Sequence, residues 1–548
     1  MSEAVLDICG LTVGLGGDAD DRRIVRDIDI TVPSGEIVCV VGESGSGKSV
    51  TAFSVMGLLP EGLTAVGGSI KVLGEELLGA PAQRMRALRG SRIGMIFQEP
   101  MTALNPVMTV REQLAELIVW HSGARHGKAE IDKRVLAALE DMLLPNAAQM
   151  MHAYPHQLSG GQRQRVMIAM AMLLEPVLLI ADEPTTALDV TTQKQILVLI
   201  KDLVKRKNIG VLFITHDFGV VADIADRVVV MQKGAVVESG SAEAVLGNPT
   251  QAYTRLLINS VPKGIQIGTV AREPTADVLA VKGLKMTYGH RGLFGLGRVT
   301  HAVRDADFTL GRGEILGVVG ESGSGKSTLA RCVARLMKPT SGEINLLGTD
   351  IAAVSNEMLR PHRRYIQVVF QDPYRSLNPR ISVGQSMIEG VVNFGATPQA
   401  AREKVAALLQ LVGMDAQVMH RFPHEFSGGQ RQRICIARAI ALKPLVLVAD
   451  EAVSALDVSV QSQILALFAE LREEMNLAMI FITHDLRVAA EIADRIVVMR
   501  RGQIVEQGET QAIFENPTDP YTRALLDAIP GRGMFAGPGA RLPEPASV

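Results

Sequence analysis

The stretch GESGSGKS, running Gly42, Glu43, Ser44, Gly45, Ser46, Gly47, Lys48, Ser49, decides how the chain is read. It follows the apolar run Ile37-Val38-Cys39-Val40-Val41 and precedes a helix-like segment through Phe53 and Met56. That order predicts a strand, a glycine-rich loop and a helix, with the GxxxxGKS spacing of a phosphate-binding loop. The glycines let the backbone turn tightly and approach a ligand without a Cβ in the way. The loop's N–H groups then converge on an anion, and the helix N-terminus adds positive potential. Lys48 is expected to reach the β- and γ-phosphates and Ser49 to hold Mg²⁺. The plainer alternative is a glycine-rich turn beside a surface lysine. It loses ground because the same eight residues return as Gly320, Glu321, Ser322, Gly323, Ser324, Gly325, Lys326 and Ser327, after Ile315-Leu316-Gly317-Val318-Val319.

The repetition extends well beyond the loop. LSGGQRQR from Leu158 recurs as FSGGQRQR from Phe426, so the second half of the chain restates the first. Two copies point to a duplicated or fused domain rather than a solenoid. The expected organisation is a first domain over 1–262, a linker over 263–277, a second domain over 278–530 and a disordered tail over 531–548. The linker is polar and contains Pro274, and the tail is rich in Gly, Pro and Ala.

Within each copy a mostly helical insert is expected after the loop, over about 99–175 and 372–443. Short, branched apolar runs then alternate with amphipathic segments. Val177-Leu178-Leu179-Ile180-Ala181 and Leu445-Val446-Leu447-Val448-Ala449 form one pair of such runs, and Val211–Ile214 and Met479–Ile482 a second. Continuous apolar runs of this length suit central parallel strands covered on both faces, and their alternation with helices argues for an α/β fold with a largely parallel sheet.

The chemistry sits at the ends of these runs. Asp182-Glu183 and Asp450-Glu451 close the first pair. Two acids at the end of a buried strand are costly unless they serve an ion or a reaction. The first is expected to help hold Mg²⁺ and the second to polarise an attacking water. His216 and His484 close the second pair, placed for phosphate sensing or water positioning, although a lone histidine is more often structural. Gln98 and Gln371 follow the runs GMIF and QVVF, where a neutral side chain can orient both Mg²⁺ and the attacking water. Ser159-Gly160-Gly161-Gln162 and Ser427-Gly428-Gly429-Gln430 open helices. The serines read as N-caps, and a Ser-Gly-Gly helix start is also an anion site. A second phosphate site in a domain that already has one makes sense if it serves the other copy's nucleotide.

Composition narrows the partners. The 548 residues carry a formal net charge of −2 and only 4% aromatic residues, which favours neither nucleic-acid binding nor base-stacking platforms. No apolar run approaches the roughly 18–20 residues of a membrane span, and MSEAVLDICG does not read as a signal peptide. The four cysteines are scattered, so neither a disulfide framework nor a cysteine metal site is expected, and Cys39 and Cys435 read as small buried hydrophobes.

The ordered set of phosphate loop, Gln, SGGQ, Asp-Glu, ALD and His resembles the ATP-binding cassette of ABC transporters, twice over and across nearly the whole chain. The resemblance implies two P-loop NTPase domains, each with a mostly parallel core sheet, an antiparallel β subdomain and a helical subdomain. It implies ATP and Mg²⁺ as ligands, an intramolecular head-to-tail pairing of the cassettes, Lys48 working with Ser427 and Gly429, and Lys326 with Ser159 and Gly161. Asp189 and Asp457, in TALD and SALD, resemble the loops that couple the two sites. Tyr288 matches the aromatic on which the family stacks adenine, whereas the first copy has Leu15 there. The second copy also reads DEAVSALD against DEPTTALD, with Ala452 and Val453 for Pro184 and Thr185, a change that removes no catalytic group.

Further stretches resemble one subfamily. NPTQAYTRLLINSVP from Asn248 and NPTDPYTRALLDAIP from Asn516 look like the C-terminal motif of oligopeptide, dipeptide and nickel importer ATPases. The chain thus resembles a fusion of two such ATPases. This implies two permeases and an extracytoplasmic solute-binding protein as partners, a peripheral place on the cytoplasmic face of the bacterial inner membrane, and peptide as cargo. Nickel, glutathione and haem stay open as cargoes, and a soluble twin-cassette ATPase acting on ribosomes is the rival. Some relatives carry a cysteine-rich extension for an iron–sulfur cluster. Neither the segment 261–277 nor the tail has a cysteine, so no cluster is expected.

Overall fold

The computed structural model describes residues 4–16, 23–122, 127–186, 188–262, 276–289, 299–454 and 456–532. The linker expected over 263–277 and the tail over 531–548 lie mostly outside these residues. The main division of the chain into two compact units falls between Val261 and Pro262.

In the first unit, Ile37–Val41 is buried at every position, as a run without polar alternation requires of a central strand. It pairs in parallel with Gly210–Ile214 on one side, Val38 opposite Leu212, and with Arg227–Gln232 on the other, Cys39 opposite Val228. Leu178–Asp182 lies parallel beside Gly210–Ile214, and Ile93–Ile96 parallel beside Leu178–Asp182. The antiparallel strand Ala235–Ser241 completes a six-stranded sheet. Five adjacent strands therefore run the same way, and their C-terminal ends share one edge. In an open α/β sheet that edge is where ligands bind.

A second, antiparallel sheet joins Arg23–Pro33, Ala4–Leu15, Leu63–Val72 and Glu75–Glu76. Its inward-facing Leu6, Ile8, Ile28 and Ile70 share one core cluster with Val38, Val40, Ile180, Leu212 and Ile214 of the main sheet. The region between Gln98 and Leu178 is helical, built on Val110–Ser122, Lys128–Asp141 and Gly160–Met172.

The second unit repeats the plan. Ile366–Val369, Val446–Asp450, Ala478–Ile482, Ile315–Val319, Arg495–Arg500 and Gln503–Glu509 form its main sheet in that order. Thr300–Gly311, Asp277–Tyr288, Ser341–Leu346 and Thr349–Asp350 form the antiparallel one. Each unit is thus a mostly parallel core sheet with an antiparallel sheet and a helical region.

Candidate functional site

The phosphate loop leaves Val41 at once and enters the helix Lys48–Met56, and its copy leaves Val319 and enters Lys326–Val333. Gly42 and Gly320 turn at φ 150° and 146°, and a Cβ there would run into the carbonyls of Met231 and Met499. The loop is therefore restricted to glycine at its entry, where it passes the neighbouring strand. Gly47 and Gly325 stand in the left-handed region at the helix start. Ser44, Gly45, Ser322 and Gly323 form the exposed crown of each loop, while Ser46 and Ser324 are buried beneath it.

The lysine is held under this crown. Lys48 Nζ donates to Gly42 O at 2.7 Å and Glu43 O at 2.8 Å, and Lys326 Nζ to Gly320 O at 2.7 Å and Glu321 O at 2.9 Å. Both are almost fully buried, so an ammonium is fixed in a setting of low dielectric, where its pull on an anion is strongest.

Beside each loop a hydroxyl meets a carboxylate. Ser49 Oγ donates to Asp182 Oδ1 at 3.0 Å, and Ser327 Oγ to Asp450 Oδ1 at 3.0 Å. Burial raises the Asp182 carboxyl to about 6, with the nearby Glu183 charge adding to it and the Ser49 and Lys48 contacts only partly offsetting it. Asp450 is raised in the same sense, burial again leading. A buried carboxylate with a raised pKa is short of positive charge. Together with an adjacent hydroxyl it makes an all-oxygen pair that fits Mg²⁺, which holds protein oxygens while keeping part of its water shell.

The following glutamate faces a different set of groups. Glu183 and Glu451 adopt left-handed backbone, at φ 46° and 49°. That conformation costs on the order of 1 kcal/mol or more in a non-glycine residue. The turn is fixed by Glu183 N donating to Ile214 O at 2.9 Å and Glu451 N to Ile482 O at 3.0 Å, across to the next strand. Gln98 Nε2 donates to Glu183 Oε2 at 3.0 Å, and His216 Nδ1 lies 3.1 Å from Glu183 Oε1. In the second unit Gln371 Nε2 donates to Glu451 Oε2 at 2.7 Å and His484 Nδ1 lies 3.5 Å from it. Burial pushes both glutamates up, but hydrogen bonding and charge from the histidine outweigh it, and each carboxyl is held below the usual glutamate range. Burial pushes the His484 imidazole down, and the Glu451 carboxylate more than reverses that. Four strand ends thus bring loop, histidine, acid pair and glutamine side by side in each unit.

The remaining predicted residues lie elsewhere. Ser159 and Ser427 cap their helices in reciprocal boxes: Gln162 N donates to Ser159 Oγ at 3.3 Å and Ser159 N to Gln162 Oε1 at 2.9 Å, with Gln430 and Ser427 at 3.4 and 3.1 Å. Asp189 caps the helix Val190–Lys207, accepting from Thr192 N at 2.9 Å. Asp457 precedes the helix Val458–Met475 without a side-chain capping bond. Tyr288 ends the strand Asp277–Tyr288, its hydroxyl 3.4 Å from Thr328 Oγ1 just past the second phosphate loop. Leu15 ends the matching strand of the first unit and is exposed.

Two tyrosines were not picked out from sequence. Tyr253 and Tyr521 belong to the repeated NPTxxYTR motif, and each hydroxyl accepts from the backbone N–H of the second phosphate-loop residue: Glu43 N at 3.2 Å and Glu321 N at 3.1 Å. Their repeated position was legible, but not their target some two hundred residues away.

A nucleotide-binding cassette is what this fold and site define, and here there are two. The chain belongs to the ABC transporter family: the family model matches residues 25–186 and again 303–454. The oligopeptide/dipeptide transporter C-terminal region matches 237–272 and 505–535. The glutathione import ATP-binding protein GsiA of Salmonella paratyphi A is 47% identical over 96% of this chain and 90% of its own length. The protein of the same name from Escherichia coli K12 is 47% identical over 96% of this chain and 89% of its own. The chain is an ATP-hydrolysing subunit of an ABC importer of the oligopeptide/dipeptide class. Among the described residues, no helix is long and apolar enough to cross a membrane itself.

Proposed function

We propose that this chain drives import of short peptides, glutathione-like tripeptides included, by hydrolysing ATP at two sites, one at each phosphate loop. Glu183 and Glu451 act as general bases, each taking a proton from the water that attacks the γ-phosphorus. The new P–O bond forms as the bond to the ADP oxygen breaks, giving ADP and phosphate. His216 and His484, with Gln98 and Gln371, orient the carboxylate and the water. Lys48 and Lys326 bind the phosphates. Ser49 with Asp182, and Ser327 with Asp450, would hold Mg²⁺, with Gln98 and Gln371 as further candidate ligands. When bound, Mg²⁺ supplies charge neutralisation on the β- and γ-phosphate oxygens. The helix starts at Ser159–Gln162 and Ser427–Gln430 supply further N–H donors for nucleotide phosphate, and Asp189 and Asp457 stand at the starts of the helices that follow the acid pairs.

One observation carries this reading: both cassettes place the hydroxyl–carboxylate pair and the Glu–His–Gln cluster at the same strand ends. Peptide as cargo is supported by the doubled C-terminal region and by relatives named for glutathione import. Permease docking is supported by an open groove of about 310 Å³ on the helical part of the first unit, lined by Ala103, Asn105, Met108, Gln113 and Trp120. Trp120 is 69% exposed there, an anchor suited to a partner helix. Two permeases and an extracytoplasmic binding protein complete the system, with this chain peripheral on the cytoplasmic face of the inner membrane.

The test is affinity capture of the tagged chain from its own membranes, with mass spectrometry of what accompanies it and ATPase assay of the complex with glutathione and dipeptides. Two permeases and peptide-stimulated turnover are expected. Ribosomal proteins in place of permeases would overturn the importer reading.

A further inference from the structure

The NPTxxYTR motif has a fold of its own, and its threonine, tyrosine and arginine make matching bonds in the two copies. In the first unit Glu238, on the strand Ala235–Ser241, accepts from Thr250 N at 2.7 Å, Thr250 Oγ1 at 2.8 Å and Gln251 N at 3.2 Å. Arg255 Nη1 donates back to Pro249 O at 3.0 Å and Thr250 O at 2.9 Å. In the second unit Glu506 accepts from Thr518 N at 2.7 Å, Thr518 Oγ1 at 2.7 Å and Asp519 N at 3.2 Å, and Arg523 closes onto Pro517 O and Thr518 O at 3.0 and 3.1 Å. These bonds fix where the helices Ala252–Ser260 and Pro520–Asp527 begin. The tyrosine on the first turn of each then points at a phosphate loop.

There the phenol oxygen takes the N–H of Glu43 or Glu321. In the first unit the same hydroxyl also donates to Glu43 Oε2 at 3.3 Å, anchoring an acidic side chain that stands on a loop built for anions. In the second, the Arg500 guanidinium lies 4.7 Å from the Tyr521 ring centroid, and the ring is almost fully buried. A glycine-rich loop loses much entropy when it is ordered around a ligand. A bond that fixes its second residue beforehand reduces what ATP must order on binding.

We propose that Tyr253 and Tyr521 are positioning residues for ATP: each ties the C-terminal motif to a phosphate loop and holds that loop ready for the triphosphate. The tyrosines touch the loop's main chain and not the reacting atoms. Their effect therefore falls on ATP affinity more than on the chemical step.

The experiment compares the full chain with Tyr253→Phe, Tyr521→Phe and the double variant, measuring KM and kcat for ATP with Mg²⁺ and the binding of a fluorescent ATP analogue. Phenylalanine keeps the ring and its packing and removes only the hydroxyl. Each single variant is expected to raise KM and the analogue's Kd roughly three- to tenfold, the worth of one hydrogen bond, with kcat within about twofold of the parent. Thermal melting is expected to match the parent. An unchanged KM and Kd in the double variant would overturn the proposal. So would a rise that only tracks a lowered melting temperature, which would make the tyrosines braces for the helix alone.

Discussion

The two glutamates that complete the acid pairs, Glu183 and Glu451, differ in how firmly they are held. Glu183 is bound through both oxygens: His216 faces Oε1, while Gln98 and Thr186 donate to Oε2, the Thr186 hydroxyl at 3.1 Å. Among the described residues, Gln371 and His484 both face Oε2 of Glu451, and none bonds its Oε1. Ser454, which stands where Thr186 does, turns its hydroxyl to the Glu451 main-chain oxygen at 3.0 Å instead. The neighbouring change follows the same direction. Thr185 accepts from Gln193 Nε2 at 3.3 Å inside the first unit, and Val453, buried at the matching place, has no hydroxyl to accept such a bond. Substituting Ala452-Val453-Ser454 for Pro184-Thr185-Thr186 therefore leaves every reacting group in place and removes one orienting bond from one carboxylate. Catalytic groups can be matched residue for residue while their orientation is not.

The largest effect should come from what the two sites share. Chelating Mg²⁺ with EDTA should abolish ATP turnover, and restoring Mg²⁺ should return it, measured by phosphate release. Turnover that survives chelation would remove both Ser–Asp pairs from the mechanism. Next comes the difference between the carboxylates. Thr186→Val should lower kcat on the order of tenfold, the worth of a hydrogen bond to a charged group. Ser454→Ala should lower it less than about twofold, since that hydroxyl never reaches the carboxylate. Equal losses would dissolve the contrast. The smallest effect concerns the strand ends that carry Leu15 and Tyr288. Leu15→Tyr should tighten ATP binding about twofold to fivefold, by adding an aromatic face for adenine. Tyr288→Leu should weaken it to a similar extent, both read by titration with a fluorescent ATP analogue. A loosened Leu15→Tyr variant would show that the first unit holds adenine by other groups.

Much of this was legible in the sequence because it is local. The run Ile37–Val41, the loop and the helix after it are contiguous, and apolar continuity alone placed the strand at the centre of the sheet. The caps at Ser159 and Ser427 follow from Ser-x-x-Gln spacing. The adjacency of Gln98, Asp182, Glu183 and His216 needed the strand order, which the family resemblance supplied and spacing does not. Hidden altogether were the features that depend on hydroxyl direction or on distant approach. Thr186 and Ser454 look interchangeable in a sequence, yet one bonds a side chain and the other a carbonyl. The left-handed turn at Glu183 and Glu451 leaves no mark in residue type, because it is enforced by Ile214 and Ile482 on another strand. Tyr253 reaches Glu43 only once the whole cassette has closed its sheet between them.

The central claim is that both cassettes hydrolyse ATP and that neither suffices alone. The most direct measurement is steady-state phosphate release by the full chain carrying Glu183→Gln or Glu451→Gln singly, with ATP and Mg²⁺ in excess. Loss of a general base predicts a fall of about a hundredfold or more in each variant, with ATP retained on the protein. Turnover at the parent rate in either variant would contradict the account, leaving a single working site beside a structural one.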